Sequence, residues 1–372
     1  MANNTPTILV APLNWGLGHA TRCVPIISEL LSQNVRVLLA GDGRSLTLLH
    51  REFPNLPVLQ LPPYDIVYPD AAGSMTLIMA AQVPKILYQI RREHLVLQQL
   101  AKQYAVDAVI SDNRYGCYLP GMPSVFMTHQ IFIQTPPLLQ LLSPVLLHLN
   151  QFFIHRFNYC WIPDMPHPTN NLSGNLAHTK PLPSSRYRFI GPLSRMKVDL
   201  PQIPAAPFYK ASVVLSGLEP QRSYFEKLVL QQAEGLDFPI ALVRGITETG
   251  NNKETGNVHL FDHLTTTELN RLLLNSEVVV ARSGYSTIMD LAALGKKAAL
   301  VPTPGQTEQE YLADKFMRQG IFYSVAQPQF QLKDAIHQAA EYNGILLNDP
   351  QLMPQAVKDF IGQVAEKKLT RV

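Results

Sequence analysis

Residues 281–310, ARSGYSTIMDLAALGKKAALVPTPGQTEQE, contain the clearest indication of the fold. They continue an apolar strand pattern at 278–281 into a short turn and a helix, and a second apolar strand pattern follows at 298–301. A strand, a helix and a strand in this order predict two parallel strands, because the intervening helix returns the chain to the same end of the sheet. The segment therefore predicts an α/β domain.

The turn at 282–287 has the character of an anion-binding helix start. Backbone N–H groups and the dipole at the first turn of a helix attract anions, phosphate above all. Asp290 follows about two turns into the helix, where its carboxylate can accept both hydroxyls of a ribose. A capped helix with a solvated polar face is the alternative interpretation. The candidate residues at these two neighbouring strand ends are Arg282, Ser283, Gly284, Ser286, Thr287, Asp290, Gln309 and Glu310.

Strand and helix patterns alternate along the rest of the chain as well, which predicts parallel sheets covered by helices on both faces. A second alternation begins at 211–215. The expected fold class is therefore α/β, with two doubly wound Rossmann-like domains facing each other across a cleft. In the first half the strand patterns lie at 7–13, 35–40, 58–61, 107–111 and 124–128, and the helical patterns at 19–32, 43–52, 75–104 and 137–156.

A proline-rich passage separates the two alternations. Its sequence, GPLSRMKVDLPQIPAAPFY at 191–209, is typical of a stiff linker. We therefore expect an N-terminal domain over 1–190, a linker over 191–209 and a C-terminal domain over 210–372. The final helix of the chain is a candidate to pack back on the N-terminal domain.

The composition is that of a globular protein, with 46% hydrophobic and 16% charged residues. A net charge of +3 over 372 residues gives no support to general nucleic-acid binding. Cys23, Cys117 and Cys160 lie far apart in no metal-binding or redox spacing, which favours a reducing cytoplasm. The N-terminal MANNTPTILV enters a strand without a basic and apolar leader, so we expect no secretion signal.

From Tyr115 to His155 the sequence contains no Asp, Glu, Lys or Arg. Pro136, Pro137 and Pro144, with several amide and imidazole side chains, interrupt this stretch too often for a good transmembrane helix. One interpretation is a buried strand followed by a helix that packs on the sheet. The other is an apolar surface that contacts a lipid-linked substrate or the membrane interface. In that case a basic rim could come from Arg91, Arg92, Arg156, Arg186 and Arg188.

Three further turns follow strand patterns and carry candidate residues. In NWGLGH at 14–19, glycines allow a close approach of the backbone to a ligand, and the helix dipole favours a neutral His19 that can accept a proton. A His19 that only caps the helix is the alternative. The alternative for SGLEPQR at 216–222 is a capped helix start, and the alternative for SDNRYG at 111–116 is a solvated loop. The candidates are Gly16, Gly18 and His19 in the first turn and Ser216, Gly217 and Arg222 in the second, where Arg222 could contact phosphate. In the third turn Asp112, Asn113 and Arg114 could bind a polar acceptor, as could His129 after the next strand.

Several motifs are absent from the sequence, which narrows the chemistry. There is no Asp-x-Asp pair for a nucleotide-bound metal, no Walker-type phosphate loop, no His/Cys metal cluster and no Gly-x-Ser-x-Gly elbow. A bound diphosphate would then be neutralised mainly by backbone N–H groups and arginines. We expect no metal site and no cofactor.

Two segments carry a resemblance to a known family. ARSGYSTIMDLAALGKKAALVPTPGQTEQEYLA at 281–313 resembles the nucleotide-binding segment of glycosyltransferase family 28, the MurG-like GT-B enzymes, and GLGHATRCVPIISEL at 16–30 resembles their N-terminal glycine loop and helix. The resemblance implies a donor-binding C-terminal domain and an acceptor-side N-terminal domain. The departures are SGLEPQR in place of the second glycine-rich loop and an inserted Trp15 in the first.

The resemblance also implies roles for individual residues. Asp290 would hold the ribose of a UDP-sugar, at a position where the family usually has Glu. Ser283 and Gly284 would cradle the diphosphate. Gln309 and Glu310 would bind donor-sugar hydroxyls. His19 would be the base or a diphosphate contact.

The implied activity is that of an inverting, metal-independent glycosyltransferase, which moves a hexose from a UDP-sugar to a hydroxyl acceptor. N-acetylglucosamine is the first candidate for the sugar, and a lipid-linked molecule or cell-envelope glycan for the acceptor. We expect a cytoplasmic protein with peripheral contact at the inner face of the membrane. Two alternatives stay open: a UDP-sugar hydrolase of GT-B-like fold, for which GLGHATRC is also suitable, and a non-catalytic protein that binds nucleotide-sugars.

Overall fold

The computed structural model describes residues 5–66, 81–132, 143–178, 181–198, 208–217, 219–246, 252–347 and 349–370. These residues form two compact units. The first contains the described residues up to Leu193 and those from Asp349 onward, and the second contains those from Ser194 to Leu347. The middle of the predicted linker and the expected starts of the helices at 75 and 137 lie outside the described residues.

The first unit is built on a seven-stranded parallel sheet of order β3-β2-β1-β4-β5-β6-β7. Its central strands are almost continuously apolar because helices cover the sheet on both faces. Its strands are β1 (Thr7–Pro12), β2 (Arg36–Gly41), β3 (Val58–Gln60), β4 (Ala108–Asp112), β5 (Ser124–Met127), β6 (Tyr159–Ile162) and β7 (Tyr187–Phe189). Its helices are α1 (Gly18–Ser32), α2 (Gly43–Glu52), α3 (Val83–Gln103) and α4 (Ser143–Ile154), with a short 3₁₀ helix at Gly174–Leu176.

The second unit repeats this architecture with the order β10-β11-β9-β8-β12-β13-β14. All its pairs are parallel except that of β10, a polar edge strand that the apolar patterns do not reveal. Its strands are β8 (Tyr209–Val214), β9 (Ile240–Val243), β10 (Asn252–Thr255), β11 (Val258–Phe261), β12 (Ser276–Ala281), β13 (Lys297–Leu300) and β14 (Tyr323–Ser324). Its helices are α5 (Gln221–Ala233), α6 (Thr266–Leu274), α7 (Tyr285–Leu294), α8 (Thr307–Arg318) and α9 (Leu332–Ala340), with a 3₁₀ helix at Gln327–Gln329.

The last helix, α10 (Leu352–Leu369), belongs to the first unit. Phe360 is buried and meets the Trp161 ring edge-on, with 5.7 Å between centroids. Near the C-terminal end of the helix, Lys368 Nζ lies 2.9 Å from Asp107 Oδ2. The final segment of the chain is therefore part of the N-terminal core.

Each sheet has a position from which the chain winds outward in both directions. In the first unit this switch point lies between β1 and β4, and in the second it lies between β8 and β12. Ligands of doubly wound sheets bind outside the carboxyl ends of the strands at such points. The α/β fold class expected from the alternating patterns is confirmed. Within the described part of the chain, no helix is long and apolar enough to span a membrane.

Candidate functional site

The switch point of the first unit brings together residues that are far apart in the sequence. His19 is the second residue of α1, and Asp112 is the last residue of β4. His19 Nδ1 lies 2.9 Å from Asp112 Oδ1, with 14% of the His19 side chain exposed and none of Asp112. Because Asp112 is fully buried against His19, the acceptor contact predicted for it is not supported by this placement.

Arg22, one turn after His19 on α1, completes this cluster. Its Nε donates to Asp112 Oδ2 at 2.5 Å, and its Nη2 donates to Asp112 Oδ1. Nη2 also lies 2.9 Å from His19 Nδ1, and Nη1 lies 3.1 Å from the Nδ1 atom of the buried His129. His129 thus contacts Arg22, although the sequence suggested an acceptor contact.

The charges of the cluster follow from these contacts. Burial raises the pKa of Asp112, but the nearby Arg22 and His19 outweigh it and bring the pKa down to about 2. Asp112 is therefore an anion at neutral pH. Burial is also the largest influence on His19 and lowers its pKa, against the opposing pull of Asp112. The ring is therefore neutral at pH 7, as a proton acceptor must be.

Asn113 and Arg114 follow β4 but have different environments. Asn113 is half-buried in a left-handed conformation, with φ +58°. Arg114 is completely buried, and it donates to Glu93 Oε1 at 2.5 Å and to Asp42 Oδ1 at 2.6 Å. The acceptor contact predicted for Arg114 is not supported by this placement, because the guanidinium would have to leave two carboxylates to reach a ligand.

The glycines at the two switch points leave the backbone accessible. Gly16 follows β1 with φ +84°, and Gly217 follows β8 with φ +101°. A Cβ atom added at either position would meet no atom within 4 Å. A ligand can therefore approach the backbone of both turns, and the positive φ angles explain the need for glycine. Gly18 begins α1, and Ser216 is half-buried beside Gly217.

The predicted nucleotide turn lies at the switch point of the second unit. Gly284 is the N-cap of α7, and as a glycine it has no side chain of its own to accept from the first turn. Ser286 and Thr287 are half-buried in its first turn. Ser283 is completely buried, and its Oγ donates to the backbone oxygen of Gln309 at 2.8 Å. The hydroxyl of Ser283 therefore fixes the turn.

Asp290 is half-buried on α7 and accepts a hydrogen bond from Ser194 Oγ at 2.6 Å. Burial raises its pKa to about 6, against the opposing effects of Arg195 and Ser194. A ribose would have to replace or share the Ser194 contact. Neither Ser194 nor Arg22 was singled out from the sequence. Arg22 was detectable as a lone cation in an apolar helix, whereas Ser194 gave no signal.

Gln309 and Glu310 stabilise the turn before α8. Gln309 Oε1 accepts from the Thr303 backbone N–H at 2.8 Å, and Glu310 Oε1 accepts from that of Gly305 at 3.0 Å. Glu310 is exposed, whereas Gln309 is buried. Glu310 is therefore placed to reach a ligand more readily than Gln309.

The two arginines predicted to bind the donor are buried. Arg222 donates to Glu226 Oε2 at 2.7 Å and to Glu219 Oε1 at 2.6 Å, so its charge is already paired. Arg282 is 1% exposed and donates to backbone carbonyls. Direct contact of either guanidinium with a diphosphate is thus not supported, because both are enclosed by protein. Among the described residues, no three His, Cys, Asp or Glu side chains converge as metal ligands.

Comparison with known proteins extends this description. Residues 227–351 match the glycosyltransferase family 28 C-terminal domain. An uncharacterized glycosyltransferase of Methanosarcina mazei is 22% identical over 98% of this chain and 100% of its own length. A UDP-N-acetylglucosamine–N-acetylmuramyl-(pentapeptide) pyrophosphoryl-undecaprenol N-acetylglucosamine transferase of Rhodopseudomonas palustris is 44% identical over 48 residues, 13% of each chain. The crystal structure of Acinetobacter baumannii MurG superposes with a TM-score of 0.54 at 13% identity, over 96% of this chain and 99% of that one.

The two doubly wound units and these similarities define a glycosyltransferase with the GT-B fold. More particularly, the match over residues 227–351 relates the second unit to the C-terminal domain of glycosyltransferase family 28.

Proposed function

We propose that the protein is an inverting, metal-independent hexosyltransferase, which uses a UDP-sugar as donor and His19 as the base. The observation that carries this proposal is the contact of His19 with a buried, ionised Asp112 at the switch point of the first sheet. A carboxylate behind the ring supports a role as general base, whereas a histidine that only caps a helix needs no such partner. The family 28 domain in the second unit supports a nucleotide-sugar as donor.

The tautomer of His19 determines whether it can serve as a base. Nδ1 lies 2.9 Å from an Asp112 oxygen and 2.9 Å from Arg22 Nη2. Asp112 can only accept, and Arg22 already donates to the same carboxylate. In the proposed state Nδ1 carries the proton and donates a hydrogen bond to Asp112. Nε2 is then the acceptor for the proton of the substrate hydroxyl.

The proposed reaction is a single displacement. The acceptor hydroxyl transfers its proton to His19 Nε2, and its oxygen forms a bond to the anomeric carbon. The bond from that carbon to the UDP oxygen breaks on the opposite face, and UDP leaves with the electron pair. Asp112 stabilises the imidazolium, while the start of α7 stabilises the growing charge on the diphosphate. This geometry inverts the configuration at the anomeric carbon.

Donor recognition is assigned to the switch point of the second unit. The start of α7 receives the diphosphate, and Asp290 accepts the ribose hydroxyls in place of Ser194. Gly217 lets the nucleotide approach the turn after β8. N-acetylglucosamine is the first sugar to test, because the relative from Rhodopseudomonas palustris is named as a transferase of that sugar.

Release of UDP from a panel of UDP-sugars, with and without glycan and lipid-linked acceptors, tests the proposal. We expect release that depends on an acceptor, with UDP-N-acetylglucosamine as the first donor. Release at the same rate without any acceptor would indicate a hydrolase. Binding of UDP-sugars without release would indicate a non-catalytic nucleotide-sugar-binding protein.

An exposed apolar surface on the first unit supports contact with a membrane. It is formed by Val83, Leu87 and Tyr88 on α3 and by Val145, Leu149 and Phe152 on α4. The two helices are neighbours, because the Ile86 and Phe153 side chains pack against one buried cluster. Exposed apolar surface of this kind marks an interaction site.

The charges around this surface indicate which partner it meets. Glu93 is the only acidic residue of α3 and α4, and it is completely buried against Arg114. The exposed charges beside the apolar residues are the cations Lys85, Arg91, Arg92 and Arg156. Apolar side chains within a basic rim fit the interface of an anionic bilayer. These features support our proposal that the enzyme works in the cytoplasm, at the inner face of the membrane, where a lipid-linked acceptor would be available.

Co-sedimentation with vesicles tests this placement. We expect binding to vesicles with 30% phosphatidylglycerol to be stronger than to pure phosphatidylcholine, and to weaken by about tenfold when Leu149 and Phe152 are both replaced by Ser. Met317→Ser, at an exposed apolar residue of the second unit, is the matched control and should leave binding unchanged. Equal binding of the wild type and the double variant would exclude the surface as a membrane contact.

A further inference from the structure

Among the described residues, four arginines are almost completely buried near the carboxyl ends of the two sheets, and their ion-pair partners differ. Arg22 contacts Asp112, Arg114 contacts Glu93 and Asp42, and Arg222 contacts Glu219 and Glu226. Arg282 is 1% exposed, and its contacts among the described residues include no carboxylate. Within the described part of the chain, Arg282 is thus a buried cation without a carboxylate partner.

The neighbours of Arg282 are dipoles and a ring. Nη1 donates to the backbone oxygens of Val301 and Pro302 at 3.2 and 3.3 Å, and Nη2 donates to that of Gln221 at 3.1 Å. The guanidinium carbon lies 4.4 Å from the centroid of the Phe225 ring. These contacts hold the group in one orientation, and each of the partners is neutral. The full positive charge therefore remains in the field around the group.

Arg282 lies at the edge of the second sheet where a ligand is expected to bind. The contacts of Arg282 connect the ends of β12 and β13 to the first residue of α5, at the switch point of the second unit. Arg282 also directly precedes Ser283 and Gly284, which lead into α7. Burial of an unpaired charge lowers the stability of the folded protein. A buried, unpaired cation at a ligand-binding edge is therefore better explained by a role in binding than by a role in stability.

We infer that Arg282 is a positioning residue for the nucleoside diphosphate, and that it acts through space on the two phosphates without touching them. The inference rests on the proposed function, because it takes the diphosphate to lie at the start of α7. In a site without a metal ion, a fixed cation beneath the helix start adds to the helix dipole and opposes the charge that develops on the leaving diphosphate. Arg282 contributes to affinity in proportion to ligand charge, and it contributes nothing to recognition of the nucleoside.

Binding of uridine, UMP and UDP to charge-changing variants tests this inference. Arg282→Gln removes the charge but keeps an amide donor for the carbonyls, and Arg282→Lys keeps the charge. We expect Arg282→Gln to weaken the binding of UDP by about 10- to 100-fold and that of UMP by less. The affinity for uridine should change by less than about twofold. Arg282→Lys should retain most of the UDP affinity. Arg318→Gln removes an exposed cation from the same unit and should change no affinity.

Each result distinguishes the inference from the proposed function. If Arg282→Gln weakened the binding of uridine and of UDP equally, Arg282 would only stabilise the conformation of the turn. That result would overturn the inference and leave the proposed function intact. Unchanged UDP affinity in that variant would also overturn it. Failure of the wild-type protein to bind UDP would overturn both. If Arg282→Gln does not fold, Arg282→Lys decides, since loss of UDP affinity despite a retained charge would contradict an electrostatic role.

Discussion

His19 and Asp112 show how burial and charge together set the state of a single side chain. Asp112 has no exposed surface, yet its pKa falls to about 2 because Arg22 and His19 outweigh the effect of burial. The pKa of His19 moves downward, with burial as the largest cause. The pair therefore combines a permanent anion with a neutral ring, which is the arrangement that a general base requires.

Replacement of His19 by Ala should lower kcat by about 10²- to 10⁴-fold, the usual contribution of a general base. The affinity for UDP should stay within about twofold, because His19 lies in the first unit and the donor residues lie in the second. Steady-state kinetics and calorimetry on the same preparations measure both quantities. Because the pKa of His19 lies below its ordinary value of 6.5, the acid limb of the wild-type kcat profile should also lie below pH 6.5. Unchanged turnover in His19→Ala would exclude His19 as the base.

Asp290 should make donor binding depend on pH. Its pKa is raised to about 6, chiefly by burial, and only the carboxylate accepts from both ribose hydroxyls. Affinity should therefore be constant above about pH 7 and fall as the pH drops through 6. UDP-N-acetylglucosamine is the suitable probe, since its diphosphate has no group that titrates near pH 6. Asp290→Ala should weaken binding by about 10- to 100-fold and abolish the pH dependence.

The control for this experiment is Asp290→Glu, which keeps the carboxylate and introduces the residue that the family usually has. It should retain a pH-dependent affinity. If Asp290→Ala bound UDP-N-acetylglucosamine as tightly as the wild type does at pH 8, the ribose contact would be wrongly assigned.

At the scale of secondary-structure elements, the site consists of the turns between strands and helices. Gly16 and Gly217 have positive φ angles and open space in front of them. The helices after these turns pack on the sheets through their apolar faces, which fixes where each helix begins. The proposed function therefore depends on turns whose own contribution to stability is small.

Gly217→Ala tests two properties of the turn after β8 separately: its backbone conformation and its accessibility to a ligand. The methyl group meets no protein atom within 4 Å, so only the strain of φ +101° should lower the free energy of unfolding, by about 1–2 kcal/mol. Donor affinity should fall further, because the methyl group would stand between the backbone and the ligand. Urea denaturation and calorimetry measure the two effects. Gly235→Ala is the matched control, since Gly235 also faces open space but has no positive φ, and it should change neither quantity.

At the scale of the whole molecule, the chain returns to its first unit after completing the second. The α10 helix, residues 352–369, contributes the buried Phe360 and Val364 to the N-terminal core. Both tryptophans of the protein, Trp15 and Trp161, lie in this first unit. Tryptophan fluorescence therefore reports on that unit alone.

Phe360→Ala should lower the free energy of unfolding of the first unit by about 3–5 kcal/mol, because it leaves a cavity beside Trp161. Urea denaturation followed by tryptophan fluorescence measures this loss. Leu369→Ala, at an exposed residue of the same helix, should leave the transition unchanged. An unaltered midpoint in Phe360→Ala would show that the first unit is stable without the support of α10.

The sequence by itself determined the class of the fold and the turns that carry the site, because strand alternation, helix starts and glycine turns depend on residues close together in the chain. It also indicated His19 and Asp290. Only the tertiary structure decided the partners of these residues. His19 and Asp112 are 93 positions apart, and Ser194 and Asp290 are 96 apart. Such pairs form because the order of strands in a sheet places distant chain segments side by side.

Tertiary packing likewise decided which arginines can meet a ligand. In the sequence, Arg114, Arg222 and Arg282 all come after strand patterns and are candidates to bind a ligand, Arg114 the acceptor and the other two the donor. In the folded protein all three are buried, two against carboxylates and Arg282 against carbonyl groups. Local sequence cannot distinguish these cases, because the charge that remains on a buried group depends on the neighbours that the fold brings to it.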